Sequence, residues 1–512
     1  YIDDVYYGRA QLFRAPMMDL ERAELLRGPQ TTLFGKNSIS GALNLTPAKP
    51  TEAFEGRLFY SHEFEHEQDE VNAVLSGPIT DTLRARLAVR TYEEDGYYEN
   101  SYKGTTDGSA DETAARLTLD WTPTDSLSFL LKAEQSEFNT QGRAIEITRD
   151  DPLTPGQRTY NERLLLVSEP GFESDLDYRR QVDIEEFSDN EINNVTLTTN
   201  YEFNDYNLTF VTAQVDFSYS ELCDCDFTAA DIVPLQIEEN YEQFSQEIRL
   251  TSPAGNTFDW IAGLYYQDYD QTFDDYLPLL EGNLLTQLIP GLFAGTALAS
   301  VDLDDTGATR DFEQSSKSWA AFGHIRWTIT DNLRATLGAR FTNEEKDSSK
   351  VLYLYEATEG ERGGPQINPA TSPLVGSAYQ LAFRFDSEQV AGGHNLKGSR
   401  NESAFTPLIN VEYDINDDIM AYASYNSGFK AGGFDPRSNN RDNYEFDRES
   451  AQAFEVGIKS SLADGRGELN ASLYRTEYKD LQFSQFDGAV GFNVGNIEDT
   501  LVQGIELDGR WL

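Results

Sequence analysis

From Ala53 onward, apolar and polar residues alternate in runs of about ten, separated by breaks rich in Gly, Asn and Asp. In one run Leu83, Ala85, Leu87 and Val89 share a face, while Arg84, Arg86 and Arg90 take the other. In another, Val211, Ala213, Val215 and Phe217 oppose Thr212, Gln214, Asp216 and Ser218. This period of two predicts β-strands, and about ten residues is the length a tilted strand needs to cross a bilayer. Alternation alone fits two architectures. In a soluble sandwich the apolar face turns to a core; in a membrane barrel it turns to lipid.

Connection lengths separate the two. Tight turns at Pro123-Thr124-Asp125-Ser126, Asn204-Asp205, Asp331-Asn332 and Asp464-Gly465-Arg466-Gly467 alternate with long polar stretches over 138–190, 271–314 and 344–400. Outer-membrane barrels have short periplasmic turns and long external loops, whereas structureless connections of that length are uncommon in compact soluble domains. One strand adds a second sign. In Ser318 to Trp327 the outward set is Trp319, Ala321, Gly323, Ile325 and Trp327. The two indoles then stand roughly 19 Å apart along the membrane normal, close to the height of an apolar band of about 25 Å. His324 and Arg326 point the other way.

The stretch before the strands is different. Leu20 to Pro50 reads as a short strand stopped by Arg27-Gly28-Pro29, glycine positions at Phe34-Gly35 and Ser40-Gly41 that tolerate positive φ, and a second strand over Ala42 to Thr46 that Pro47 ends. Leu20 to Pro29 (LERAELLRGP), Leu33-Phe34-Gly35 and Gly41 to Thr46 (GALNLT) together resemble the second half of the plug domain of TonB-dependent outer-membrane receptors. Ser40 stands where that family often has a first glycine, and Pro47-Ala48-Lys49 is a mild departure. Further resemblance lies in Tyr422 to Phe434 (YASYNSGFKAGGF), in Phe454 to Ser460 (FEVGIKS), and in Asn493-Val494-Gly495 with Gly504 to Leu507 (GIEL).

The resemblance implies an all-β fold: a transmembrane antiparallel β-barrel enclosing a small α+β plug. Residues 1–50 would be the C-terminal part of the plug domain and residues 51–512 the barrel. About sixteen strands are countable where the family has twenty-two, so a C-terminally truncated barrel is expected. Tyr1 to Tyr6 looks like the middle of a plug, so the first half-plug and the segment grasped by the energising complex are expected to be missing. The implied activity is energy-coupled import of a scarce solute, most often a ferric siderophore, with glycans and other large solutes sharing the architecture. The implied partners are the TonB-ExbB-ExbD complex, outer-membrane lipid and lipopolysaccharide. The implied location is the outer membrane of a Gram-negative bacterium. A passive porin would lack the plug, and a secreted all-β module would lack the turn asymmetry.

Composition narrows the chemistry. A mean hydropathy of −0.54 suits a barrel, whose lumen-facing half is polar. A formal charge of −48 argues against nucleic acid, because binding a phosphate backbone needs Lys and Arg in excess. Cys223 and Cys225 are one residue apart, too close and too few for a zinc site, and they read as a small constrained loop tip. Phe13-Arg14-Ala15-Pro16 spells a haem-receptor motif but lies in the plug without its companion NPNL motif. His324 stands apart from His62, His66 and His394. No Walker loop, nucleophile elbow or metal-ligand cluster is present, so neither an enzyme nor a cofactor is implied.

Two sets of site residues are expected. Tyr265, Tyr269, Phe429 and Lys430 would belong to a substrate vestibule at an aromatic rim, Tyr266 taking the opposite face to Tyr265 and Tyr269. Arg22, Glu24 and Arg27 on the plug, and Arg84, Arg86 and Arg90 on the wall, would make plug-barrel charge contacts, with Glu21 or Glu24 as partners of the wall arginines.

Overall fold

In the computed structural model a single antiparallel sheet of sixteen strands dominates, running from Glu55–Glu63 to Thr500–Trp511. The structure describes all residues except 10, 15–16, 153–155, 359–363, 369–370, 384–393, 487–491 and 512. Each wall strand pairs with the next wall strand in sequence, so the connections alternate between the two ends. At one end they are short: 79–82, 125–126, 204–205, 252–257, 331–332, 417–418 and 463–466. Asn204 and Asp205, between paired Phe203 and Tyr206, both take positive φ, 48° and 65°. A two-residue hairpin turn that follows the twist of its strands needs that conformation, and Asn and Asp accept it.

The long connections, at the other end, are shorter than the sequence suggests. They span 142–186, 280–305 and 357–393, the first and last only partly within the described residues. The ends of the expected loops 271–314 and 344–400 are strand: Phe258–Leu279, Thr306–Thr330 and Leu333–Glu356 are 22, 25 and 24 residues long. At about 3.3 Å per residue these strands outrun an apolar band of about 25 Å. Beyond that band their ends are held by the ladder and by an apolar cluster in which Leu277, Leu279, Leu352 and Leu354 pack with Ile289, Val301 and Tyr379 of the long connections.

One facial assignment is reversed. Arg86 is buried and Leu87 is exposed, as the alternation predicts for a lipid-facing leucine. Val211, Ala213, Val215 and Phe217, however, are buried on the inner face, where they cluster with Val5 and Leu12. The outward set there is Thr212, Gln214, Asp216 and Ser218. Period two fixes which residues share a face, while the packing partner decides which face is inner. Trp319 and Trp327 do face outward, at 49% and 42% exposure. Trp327 stacks on Phe258 at 5.9 Å, and Trp319 lies 5.4 Å from Phe341.

The described residues of 1–47 lie against the inner face. Strands Leu20–Arg27 and Gly41–Pro47 pair antiparallel, with Leu25 opposite Leu43, and a single helical turn, Thr31–Phe34, sits between them. Cys223 and Cys225, at the long-connection end of Tyr206–Asp224, form a disulfide.

Candidate functional site

Ion pairs fasten the first residues of the chain to the inner face. Asp3 meets Lys132 at 2.8 Å, Asp4 meets Arg249 at 2.9 Å and Arg9 meets Glu239 at 2.6 Å. Asp19 meets Arg86 at 2.6 Å and Lys36 meets Glu344 at 2.5 Å. Backbone groups add to these, since Gln243 Nε2 donates to the Tyr6 carbonyl and Arg116 Nη1 to that of Met18, both at 2.9 Å.

Of the three wall arginines singled out from the sequence, Arg86 alone bonds this segment. Arg84 pairs with Glu52 and Asp120, and Arg90 with Glu70 and Glu112. The expected acidic partners are corrected too: Glu21 is exposed and Glu24 pairs with Arg22 of its own strand at 3.2 Å. Arg27 reaches a distant wall strand, Glu506, at 3.0 Å. The physical reason is that Leu20–Arg27 leaves most of its side chains in the open. Asp19, just before the strand, is the residue turned to the wall.

Above the turn at Gly35 the segment and the wall enclose a cavity with about 210 Å³ of free volume. The segment supplies Tyr6, Arg9 and Lys36, and the wall supplies Tyr241, Tyr269, Glu344 and Lys346. The chain leaving Ile419–Lys430 supplies Lys430 and Phe434. Asn37, at φ 65°, bridges these parts: its Nδ2 donates to the Tyr6 hydroxyl at 2.7 Å and its backbone N–H to the Phe429 carbonyl at 2.9 Å. Burial pushes the Tyr6 phenol up to about 12, so it stays protonated.

Two of the four expected vestibule residues therefore line this cavity, Tyr269 and Lys430. Tyr265 faces a separate space of about 20 Å³ beside Tyr1 and Arg340. Phe429 is 4% exposed and packs on Ala404 and Ala431, so it supports the wall and does not line the cavity. The tyrosines lie mid-wall and not at a rim, because their strand continues to Leu279. Tyr266 is on the outer face, paired with Trp319. Sequence reasoning missed Tyr6, Arg9, Lys36, Glu344 and Lys346. Only Lys36, next to the Gly35 turn, carried a local sign. Among the described residues no group of three or more His, Cys, Asp and Glu is placed to hold a metal ion.

The family described as "TonB dependent receptor-like, beta-barrel" matches residues 137–512. The chain belongs to the TonB-dependent receptors. Such barrels lie in the outer membrane of Gram-negative bacteria and belong to transporters that carry out no covalent chemistry. The pesticin receptor of Yersinia enterocolitica is 23% identical over 100% of this chain and 63% of its own. The ferric-pyoverdine BN7/BN8 receptor of Pseudomonas putida is 22% identical over 98% of this chain and 55% of its own. The crystal structure of the ferric yersiniabactin uptake receptor from Yersinia pestis superposes with a TM-score of 0.72 at 18% identity, covering 96% of this chain and 64% of that one. The chain thus spans less than two thirds of the length of these relatives.

Proposed function

We propose that this receptor chain serves energy-coupled import across the outer membrane, with a ferric siderophore as the solute. Residues 1–50 act as plug and residues 51–512 as barrel wall. The observation that carries this reading is the seating of the described part of residues 1–47 on the inner face by ion pairs, which leaves a cavity lined by cations and aromatic rings on the side of the long connections. A passive porin would have no reason to fill its lumen this way. Two relatives, a ferric-pyoverdine receptor and a ferric yersiniabactin uptake receptor, support iron as cargo. Force from the TonB-ExbB-ExbD complex would act on the segment's attachments to the wall, and the long connections would face outward.

The test is uptake of radiolabelled ferric siderophores by iron-starved cells, with and without the full-length gene, in an energised and a TonB-deficient background. Loss of uptake on removing either gene is expected. Unchanged iron uptake, with a growth defect on a polysaccharide instead, would overturn the cargo assignment.

A further inference from the structure

The outer face of Tyr206–Asp224 changes character partway up the wall. Tyr206, Leu208 and Phe210 come first, and Thr212, Gln214 and Asp216 follow them on the same face. On the neighbouring strand Pro234–Thr251, Gln246 stands opposite Thr212 and is bracketed along its own strand by exposed Ile248 and Phe244. Exposed Leu197 and Val195 of Phe187–Phe203 flank Thr212 and Gln214 on the other side. Thr212 lies seven residues past Asp205 of the tight turn, a rise of roughly 18 Å on a strand inclined by about 40°, and the apolar band is about 25 Å tall. Polar side chains are thus held at the depth of the hydrocarbon, in the interior of the sheet and away from both of its end strands. There Thr212 Oγ1 donates to Gln246 Oε1 at 2.7 Å, and Gln246 Nε2 turns back to the Val211 and Glu247 carbonyls at 3.2 and 3.1 Å. Gln214 Nε2 donates to Asp216 Oδ1 at 2.7 Å. Folded onto the wall, these groups satisfy one another. In a membrane, amides and hydroxyls at this depth are the groups through which one spanning surface binds another, because acyl chains offer no hydrogen bond in return.

We propose that this patch is the contact between two copies of the receptor, related by a two-fold axis along the membrane normal that passes over Thr212 and Gln246. Its chemistry selects a second copy. A hydroxyl and primary amides donate and accept alike, so the patch is complementary to itself, as an isologous contact requires. With both copies in one membrane, groups of equal depth meet. Thr212 and Gln246 exchange their hydrogen bonds with their counterparts and the Gln214 amides reach across the axis, while Val195, Leu197, Phe244 and Ile248 close the seam against lipid. The charged groups of this face lie higher on the wall: Glu137, Glu191, Asp216, Glu242 and Asp268, with Lys317 opposite Asp268. Four residues of an inclined strand carry Asp216 roughly 10 Å above Thr212 and roughly 8 Å sideways, so the two Asp216 carboxylates stand roughly 16 Å apart, about twice the screening length of about 8 Å. Repulsion between them is therefore small, and the acidic upper wall only sets the height at which the two convex surfaces diverge. The contact does not depend on the cargo or on the import function proposed above.

The experiment uses the purified full-length receptor in phospholipid vesicles, where its own copies are the sole protein partners. Cys223 and Cys225 are joined to each other, so Gln214→Cys gives this chain a single free thiol. A short bis-maleimide is expected to convert most of Gln214→Cys to a dimer-sized species, with a yield that holds when the vesicles are fused with added lipid. Ile458→Cys, exposed on Glu449–Leu462 and seven strands away in the sheet, is the control for random collision and should stay monomeric. Adding Thr212→Val and Gln246→Leu to Gln214→Cys should lower the dimer yield by about tenfold, since both copies lose the pair. Both are apolar replacements on a lipid-facing surface, and resistance of the barrel to SDS at room temperature reports folding. If the combined variant does not fold, the comparison of Gln214→Cys with Ile458→Cys decides alone. Equal cross-linking at the two positions, a yield that the added changes leave intact, or a monomer in vesicles, whatever lipid stays bound to it, would overturn the interface. So would a cross-linked product of any other mass in whole outer membranes, which would assign the patch to a different protein.

Discussion

Asp19 and Arg86 share two hydrogen bonds across the boundary between the N-terminal segment and the wall. Arg86 Nε donates to Asp19 Oδ2 at 2.7 Å and Nη2 to Oδ1 at 2.6 Å, with side chains 7% and 5% exposed. A bidentate guanidinium-carboxylate pair fixes orientation as well as distance. Removing one member of a buried pair costs about 3–5 kcal/mol because the other charge is stranded, and here Glu55, 3.0 Å from Arg86 Nη1, offsets part of that cost. Asp19→Ala in the full-length receptor is therefore expected to speed hydrogen exchange over residues 18–27 by about a hundredfold, the lower end of that range. Asp19→Ala with Arg86→Leu should recover part of the loss. If Asp19→Ala exchanges like the parent protein, this pair does not hold the segment.

The barrel family was legible because its evidence is local: ten-residue alternation, paired turn residues, and the run from Leu20 to Thr46. What was not legible depended on contacts far apart in sequence. Lys36 and Glu344 are separated by 308 positions and nothing near either one announces the other. The inward turn of Val211 to Phe217 needed Val5 and Leu12 as partners. Alternation did place Tyr265 and Tyr269 on one face, but four residues along a strand also carried them into different cavities. Phe429 and Lys430 could not both enter the vestibule, since strand neighbours point to opposite sides. Lys430 shares its face with Gly428, which lies against Pro29 and Thr31 of the N-terminal segment.

The disulfide-closed end of Tyr206–Asp224 gives a pH dependence. Asp224, 1% exposed and beyond the membrane band, is pushed up to about 9, chiefly by burial and then by Asp226 and Asp183. Asp183, Asp226 and Asp231 are raised as well, each mainly by burial. Nearby Glu186, which accepts the Asp224 backbone N–H at 3.0 Å, is paired with Arg180 and Arg143. The folded loop therefore holds protons that the unfolded loop releases near pH 4. Where the native state binds more protons, stability falls as pH rises, here from about 4 up to about 9. Hydrogen exchange over 223–233 is expected to quicken from pH 6 to pH 9, after correction for intrinsic rates. Asp224→Asn should flatten that rise. An equally steep rise in Asp224→Asn would show that the carboxyl is not its source.

Gly35 ends the helical turn Thr31–Phe34 at φ 83° and ψ −150°, a region essentially reserved for glycine. A Cβ there would lie 2.9 Å from Arg340 Nη2. Arg340 has little room to yield: it is 3% exposed, its guanidinium lies 5.4 Å from the Tyr265 ring and 5.2 Å from the Phe322 ring, and its Nε donates to Thr342 Oγ1 at 3.1 Å. Backbone and side chain thus both demand glycine in Leu33-Phe34-Gly35. The backbone alone is worth about 1–3 kcal/mol. Gly35→Ala is expected to loosen the seat of Lys36, seen as roughly ten- to hundredfold faster exchange over residues 31–40, with the wall strands unchanged. Adding Arg340→Ala removes the close contact and leaves the backbone cost, so it should restore only a minor part of the protection. Complete restoration by Arg340→Ala would mean that the side-chain contact, and not the backbone, dictates the glycine; exchange in Gly35→Ala equal to that of the parent would dismiss both.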